Sequence, residues 1–417
     1  MILIAVPNSK QDILPAVSLR VKVVAWLVFS VLLLGLLEVV ARLFFPYPDI
    51  RNFDRARYSP QMVSGPLLSQ ASLAHASFRV ESAPDGMQTV HQLNLYGFRD
   101  REWTVEKKAA RRVFVIGDSM VEGFLAEQDS TVPRLIENLA LAAGENLEVM
   151  NLGVGGAGLS DYIPLVQDAV NAFQPDEVIF VFHANDLLGS PTFSQNLIRP
   201  KMEVQRGRPW IPRVLSVITR IAQQQAVPRA WHQDTFSFFP PVPDAGNPWT
   251  KKGVEFGQHV SADIAQAMQQ GKFNPFSVGE VQAYEHYLRQ PVAIRPWLEF
   301  LKGFLAPRGI AMSITYIPQP NQTTDHYLQF KQKYCPPGVP SLTGEVYQQG
   351  AAKLGEESKV LGIPFLDLTP AVRAVEARGE HLYWNYDEHM RPDGYKLIAQ
   401  SIQQLRVQTQ AQAAQKK

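Results

Sequence analysis

Four short stretches of this chain carry residue types that together could move an acyl group. Gly117-Asp118-Ser119 closes the apolar run Val113–Gly117, where a small residue lets the backbone turn sharply and the serine projects above a strand end. A helix starting there would aim its first N–H groups at anionic charge. Asn151-Leu-Gly153-Val-Gly155-Gly156-Ala-Gly158 follows the next apolar run, and its glycines let backbone amides come close to a reacting oxygen. Asn185, after the third run, offers a side-chain amide to developing negative charge, and His183 and Asp118 beside these turns are candidate substrate contacts. Asp387-Glu388-His389 precedes the last helical segment. Residues two apart in extended chain face the same way, so Asp387 can hold Nδ1 of His389 and leave Nε2 to accept the serine proton. Glu388 alternates to the other face, toward solvent.

Each stretch has a plainer reading. Asp118-Ser119 is also a helix N-cap, Asn185-Asp186 a turn former, and a histidine at a strand end such as His183 is more often structural than a base. Gly153-x-Gly155-x-x-Gly158 also fits a dinucleotide fingerprint, but the acidic residue that should end the next strand is supplied by Asp186 only several residues late. What favours acyl chemistry is the set and its order: Ser119 as nucleophile, His389 as base, Asp387 as its orienter.

These groups need a scaffold that brings distant turns to one edge. Val113–Gly117, Leu147–Leu152, Val178–Phe182, Ile310–Ile317 and Ile363–Leu368 read as five successive strands, short and continuously apolar as in a parallel sheet buried on both faces. Helical spacing separates them at Leu135, Ile136 and Leu139, at Ile163, Val166 and Val170, and at Trp297, Phe300, Leu301 and Phe304. A last helix starts at Pro392 and carries Leu397, Ile398, Ile402 and Leu405, proline being at home in a first turn. The expectation is an α/β domain over 101–405 with an insertion at about 190–290, where Trp231, Phe236, Phe238, Phe239, Pro240-Pro241-Val242-Pro243 and Trp249 cluster. That insertion follows the third strand, near the edge where such sheets bind ligands. It reads as a packed subdomain or a lid. Residues 46–100, rich in Pro, Ser, Arg and Asn, read as a tether and lead-in segment, and 406–417 as a disordered tail too polar to pack.

The N-terminus places the domain. After a tail at 1–22, residues 23–45 read VVAWLVFSVLLLGLLEVVARLFF, about the 20 apolar residues that cross a bilayer core. Glu38 and Arg42 stand four apart, spaced to pair near one end of that helix. No small-x-small cleavage site follows clearly, which favours an uncleaved anchor over a signal peptide. A short tail, one span and a large domain is the layout that puts the domain outside the cytoplasm, on the periplasmic side of an inner membrane. In 417 residues the net charge is +1 and the charged fraction 19%, so no field points to nucleic acid. The single cysteine, Cys335, excludes an intramolecular disulfide, and no Cys or His pair has zinc-ligand spacing. No metal or cofactor is expected.

At the Gly117-Asp118-Ser119, Asn151/glycine, Asn185-Asp186 and Asp387–His389 blocks the sequence resembles the SGNH or GDSL hydrolase family. The resemblance covers about residues 90–405 apart from the insertion. It implies a flavodoxin-like three-layer α/β/α fold with a parallel five-stranded sheet, Ser119 as nucleophile, and His389 and Asp387 completing the triad. It further implies an oxyanion hole made of the Ser119 amide, the Gly156 amide and the Asn185 side chain. Asn94 to Arg99 and the early membrane helix look like those of anchored bacterial members. Two departures stand out: His183 replaces the glycine usual two before the asparagine, and Asp387 and His389 are two apart where many members have three. The function implied is a serine-nucleophile esterase or deacetylase, with acylated glycans as the substrate class, working through an acyl-enzyme. Its alternatives are an O-acyltransferase moving acetyl onto a glycan, supplied by a membrane acyl-donor partner, and a non-catalytic glycan-binding or assembly protein.

Overall fold

The structure is a computed structural model that describes residues 18–45, 49–58, 73–82, 85–187, 193, 199–201, 212–225, 235–237, 288–289, 293–328, 341–385 and 387–415. The chain forms two compact units, one of residues 1–47 with 208–221, the other of 48–207 with 222–417.

In the larger unit all five expected strands are present, the first three extended by a residue or two, the fourth starting one residue later and the fifth shorter at both ends. They are β3 (Arg111–Gly117), β4 (Leu147–Gly153), β5 (Glu177–His183), β7 (Ala311–Ile317) and β8 (Phe365–Asp367). They pair in parallel in the order β4-β3-β5-β7-β8. Counted along the chain this is 2-1-3-4-5, the flavodoxin-like order, whose ligand crevice opens where the direction of winding reverses, between β3 and β5.

Alternation along β3 shows why both sheet faces need helices. Phe114 and Ile116 join one core cluster with Ile163 and Val166 of helix α4 (Leu159–Phe173) and Trp297 and Leu301 of α6 (Arg295–Leu305). Val113 and Val115 join the other, with Ile136 of α3 (Val132–Ala142) and Ile398 and Ile402 of the final helix, Pro392–Gln415. Side chains one apart on a strand point oppositely, so the continuous apolar run feeds two cores. Three layers result.

Two boundary expectations are corrected. The segment 46–100 is no simple tether: β1 (Ser77–Ser82) and β2 (Met87–Gln92) form an antiparallel hairpin, to which β6 (Thr235–Ser237) adds in parallel. Phe53, Tyr58, Tyr96 and Phe98 are buried, Phe53 stacking on Phe98 with ring centres 5.6 Å apart. Nor is 406–417 a loose tail, because the last helix continues to Gln415 and buries Arg406, whose Nε donates to Glu177 Oε1 at 3.1 Å. A buried carboxylate at the start of β5 needs such a partner. Most of the 190–290 insertion, including Trp231, Phe238, Phe239 and Trp249, lies outside the described residues.

The smaller unit contains helix α1 (Leu19–Phe44), starting four residues earlier than expected. Its apolar side chains are exposed, Ala41 alone among them being buried, and Glu38 pairs with Arg42 at 2.7 Å.

Candidate active site

Strand β3 ends at Gly117, whose missing side chain is required. A Cβ there would lie 2.5 Å from Val121 Cγ2 and 2.7 Å from the Val181 carbonyl oxygen. The chain therefore turns at once into the short helix α2 (Ser119–Glu122), with Asp118 as N-cap accepting from the Met120 amide at 2.9 Å. Asp118 Oδ2 also accepts from Asn185 Nδ2 at 3.0 Å, so this fully buried carboxylate joins the turns after β3 and β5. The bond engages one N–H of the Asn185 amide and leaves a second. His183, last residue of β5, is buried with Nδ1 3.8 Å from Asp118 Oδ2, and its backbone N–H donates to Asp186 Oδ2 at 2.8 Å.

The turn after β4 packs directly on α2. A Cβ on Gly153 would fall 2.1 Å from the Glu122 nitrogen, and one on Gly155 would fall 4.0 Å from Ser119 Cβ. Glu122 Oε2 accepts from the Gly155 amide at 2.8 Å, and Gly156 follows exposed at φ +73°, a left-handed conformation that suits glycine. The glycine turn is thus tied to the helix that starts at Ser119.

From the other end of the chain comes a closed loop. Tyr383 and Met390 form an antiparallel bridge, the Arg391 amide donates to the Leu382 carbonyl at 2.7 Å, and the Trp384 amide to the His389 carbonyl at 3.0 Å. Inside it Asp387 Oδ1 accepts from the His389 backbone N–H at 2.8 Å and bonds Nδ1 of the same histidine. His389 Nε2 lies 2.7 Å from Ser119 Oγ, joining residues 270 apart in sequence. The Phe124 ring lies against the imidazole, centres 4.4 Å apart. Burial alone would push the pKa of His389 down, but the charge and hydrogen bond of Asp387 outweigh it and hold it above the ordinary histidine value. Glu388, expected in solvent, is half-buried and accepts from Gln319 Nε2.

Four residues support this geometry, Glu122, Arg55, His91 and Arg99, and sequence gave none of them a role in the site. Glu122 is buried between Arg55 Nη2 at 2.6 Å and His91 Nδ1 at 3.2 Å. Burial raises its pKa, yet Arg55 and His91 bring it down to about 2, while burial takes His91 down to about 4. Arg99, inside the Asn94–Arg99 motif, gives Nη2 to the Ala126 carbonyl at 2.5 Å and Nη1 to the carbonyls of Glu122 and Gly123. Charged residues are assigned to the surface by default, and nothing local to 55, 99 or 122 indicates their partners. Glu122→Ala is expected to cost about 3–5 kcal/mol of stability in a urea titration, since it leaves the Arg55 cation buried without its counter-ion. Glu122 has a lowered folded pKa, so its stabilisation is complete above the unfolded value of 4.5 and fades as pH falls toward about 2.

The serine, the glycine turn, the asparagine and the Asp–His loop therefore lie at the carboxyl edge of one sheet, around its switch point. Among the described residues no group of three or more His, Cys, Asp or Glu side chains could hold a metal ion. A family model for GDSL-like lipase/acylhydrolase domains matches residues 113–217. No curated protein matches the chain by sequence. Among solved structures, a lipase/acylhydrolase from Enterococcus faecalis is 14% identical, with 71% of this chain and 94% of that chain covered at a TM-score of 0.36. The psychrotrophic esterase EstA from Pseudoalteromonas sp. is 11% identical, with 72% and 99% covered at a TM-score of 0.33. The assignment rests on the family match and not on these distant likenesses. The matched stretch starts in β3 and runs past β5 to residue 217, and over it the chain is similar to GDSL-like lipase/acylhydrolase domains, a likeness that supports a serine esterase.

Proposed function

We propose that Ser119, His389 and Asp387 act as a catalytic triad on carboxylic esters, with acetylated glycans as the substrate class. The observation that carries this reading is the 2.7 Å approach of His389 Nε2 to Ser119 Oγ, with Asp387 fixed behind the imidazole. His389 takes the hydroxyl proton as Oγ attacks the acyl carbon, and the tetrahedral oxyanion is met by the amides of Ser119 and Gly156 and by Asn185 Nδ2. Collapse expels the alcohol, which takes the proton back from His389, and water then releases the acid by the same steps in reverse roles. Asp118 and His183 are buried, so Asp118 acts on the substrate through Asn185, which it holds, and His183 lies beside that carboxylate.

Asn185→Ala is expected to lower kcat by about 10²–10³ with KM nearly unchanged, read from initial rates on a small acetyl ester. The base must be neutral, so kcat/KM is expected to rise with pH through an apparent pKa above about 6.5, the ordinary histidine value. The same raised pKa means that the charged imidazole stabilises the fold at low pH, and that this contribution is lost as pH rises through the folded value.

The apolar, exposed helix α1 supports the reading of residues 19–44 as a membrane anchor. Incubating the protein with an acetylated glycan, with and without a second unacetylated glycan, separates the outcomes. Free acetate in both cases identifies a deacetylase; acetate appearing on the acceptor identifies a transferase. Unaltered glycan, together with failure of a fluorophosphonate to label Ser119, overturns the catalytic reading in favour of a binding protein.

A further inference from the structure

Within the smaller unit, helix α1 has a partner 175 residues away. Glu38 Oε1 accepts from the Arg213 amide at 2.9 Å and Oε2 from the Val214 amide at 3.1 Å, while Arg42 Nε binds the same carboxylate at 2.7 Å. Arg213 and Val214 begin helix α5 (Arg213–Gln225), so Glu38 satisfies N–H groups that a helix start leaves open. This explains a carboxylate near the end of a largely apolar helix: its desolvation is offset by a neighbouring cation and two donors. It also gives residues 19–44 a tertiary role that a cleaved leader would not have.

Glu38 also fixes a level. Between Lys22 and Glu38 no charged residue occurs. These 15 positions rise about 22 Å as a helix, and long flanking side chains reaching outward make up the remaining depth of a bilayer core. Glu38 and Arg42 therefore mark one boundary of the hydrocarbon, and α5 starts at that boundary. Along α5, Leu215, Ile218 and Ile221 stand three apart and are 58%, 58% and 50% exposed, whereas Arg213, Val214, Ser216 and Val217 are half-buried. Residues three apart share a helix edge, so α5 presents an apolar row. It starts at the boundary that Glu38 marks, the depth where an amphipathic helix enters lipid.

We propose that α5 is an interfacial helix lying on the bilayer, with Leu215, Ile218 and Ile221 in the acyl boundary and Glu38 fastening it to the anchor. The inference rests on α1 being a membrane anchor. The occupant of the apolar row is phospholipid, not a second protein.

The full chain, with Cys335 changed to serine, is reconstituted in phosphatidylcholine/phosphatidylglycerol vesicles and labelled with an environment-sensitive nitrobenzoxadiazole at Ile218→Cys or, as the control face, Ser216→Cys. The expected result is blue-shifted emission at 218, quenched at least twofold more than at 216 by lipids spin-labelled near the headgroup. Adding Glu38→Gln is expected to reduce that difference while the protein still resists carbonate extraction. Solvent-like emission at 218 overturns the proposal, as does blue-shifted emission that spin-labelled lipid leaves untouched, which would mean a protein partner. A Glu38→Gln chain with unchanged quenching overturns the fastening role. Failure of the parent chain to float with vesicles overturns the anchor reading itself and is seen before any label is used.

Discussion

Ser119→Ala is expected to lower kcat on a small acetyl ester by about 10⁶-fold, the loss found when a serine nucleophile of this kind is removed alone. The oxygen deleted is the one that His389 Nε2 approaches at 2.7 Å. Activity that remains should reflect oxyanion donors and binding, roughly 10³–10⁴ over the uncatalysed reaction. Ser119 is the first residue of α2 and only half-buried, so stability should shift by no more than about 0.5 kcal/mol. Stopped assays with acetate detection and a parallel urea titration check both halves. A variant as active as the parent would remove Ser119 from the mechanism.

Asp387→Asn should cost about 10⁴ in kcat and leave KM close to that of the parent. Asp387 Oδ1 accepts from both the backbone N–H and Nδ1 of His389. An asparagine can keep the backbone bond through its carbonyl oxygen, but its amide then offers a donor to Nδ1. The ring proton moves to Nε2, which points a hydrogen at Ser119 where a lone pair is needed. The variant should also shift the acid limb of the pH profile downward, because burial then acts on the imidazole without an opposing carboxylate. A profile with an unmoved limb would mean that Asp387 is not what raises His389.

The sheet was legible because β3, β4 and β5 are buried on both faces and so carry runs dominated by apolar residues, such as Val113–Ile116 and Val178–Phe182. The site was legible because small and polar residues interrupt those runs just where the strands end. The hairpin was hidden for the opposite reason. Strand β2 turns Thr89 and His91 inward and leaves Val90 45% exposed, so its pattern of apolar and polar residues is inverted relative to a simple half-buried strand. Arg55 and Glu122 were hidden because the identity of a buried ion pair is set by folding across 67 residues, not by local spacing. The Gln-rich end of the chain gave no sign that Arg406 reaches Glu177 across 229 residues.

The bridge between Tyr383 and Met390 means that His389 and Asp387, the proposed base and its orienter, are preassembled. Asp387 and His389 share a loop closed by short-range bonds, whose closure sacrifices little chain entropy. Only one distant meeting then remains, that of the loop with the serine turn, so the three side chains of the proposed triad arrive as two pieces. Grafting or swapping residues 383–390 as a cassette should carry proton-handling character with it, independent of the rest of the scaffold.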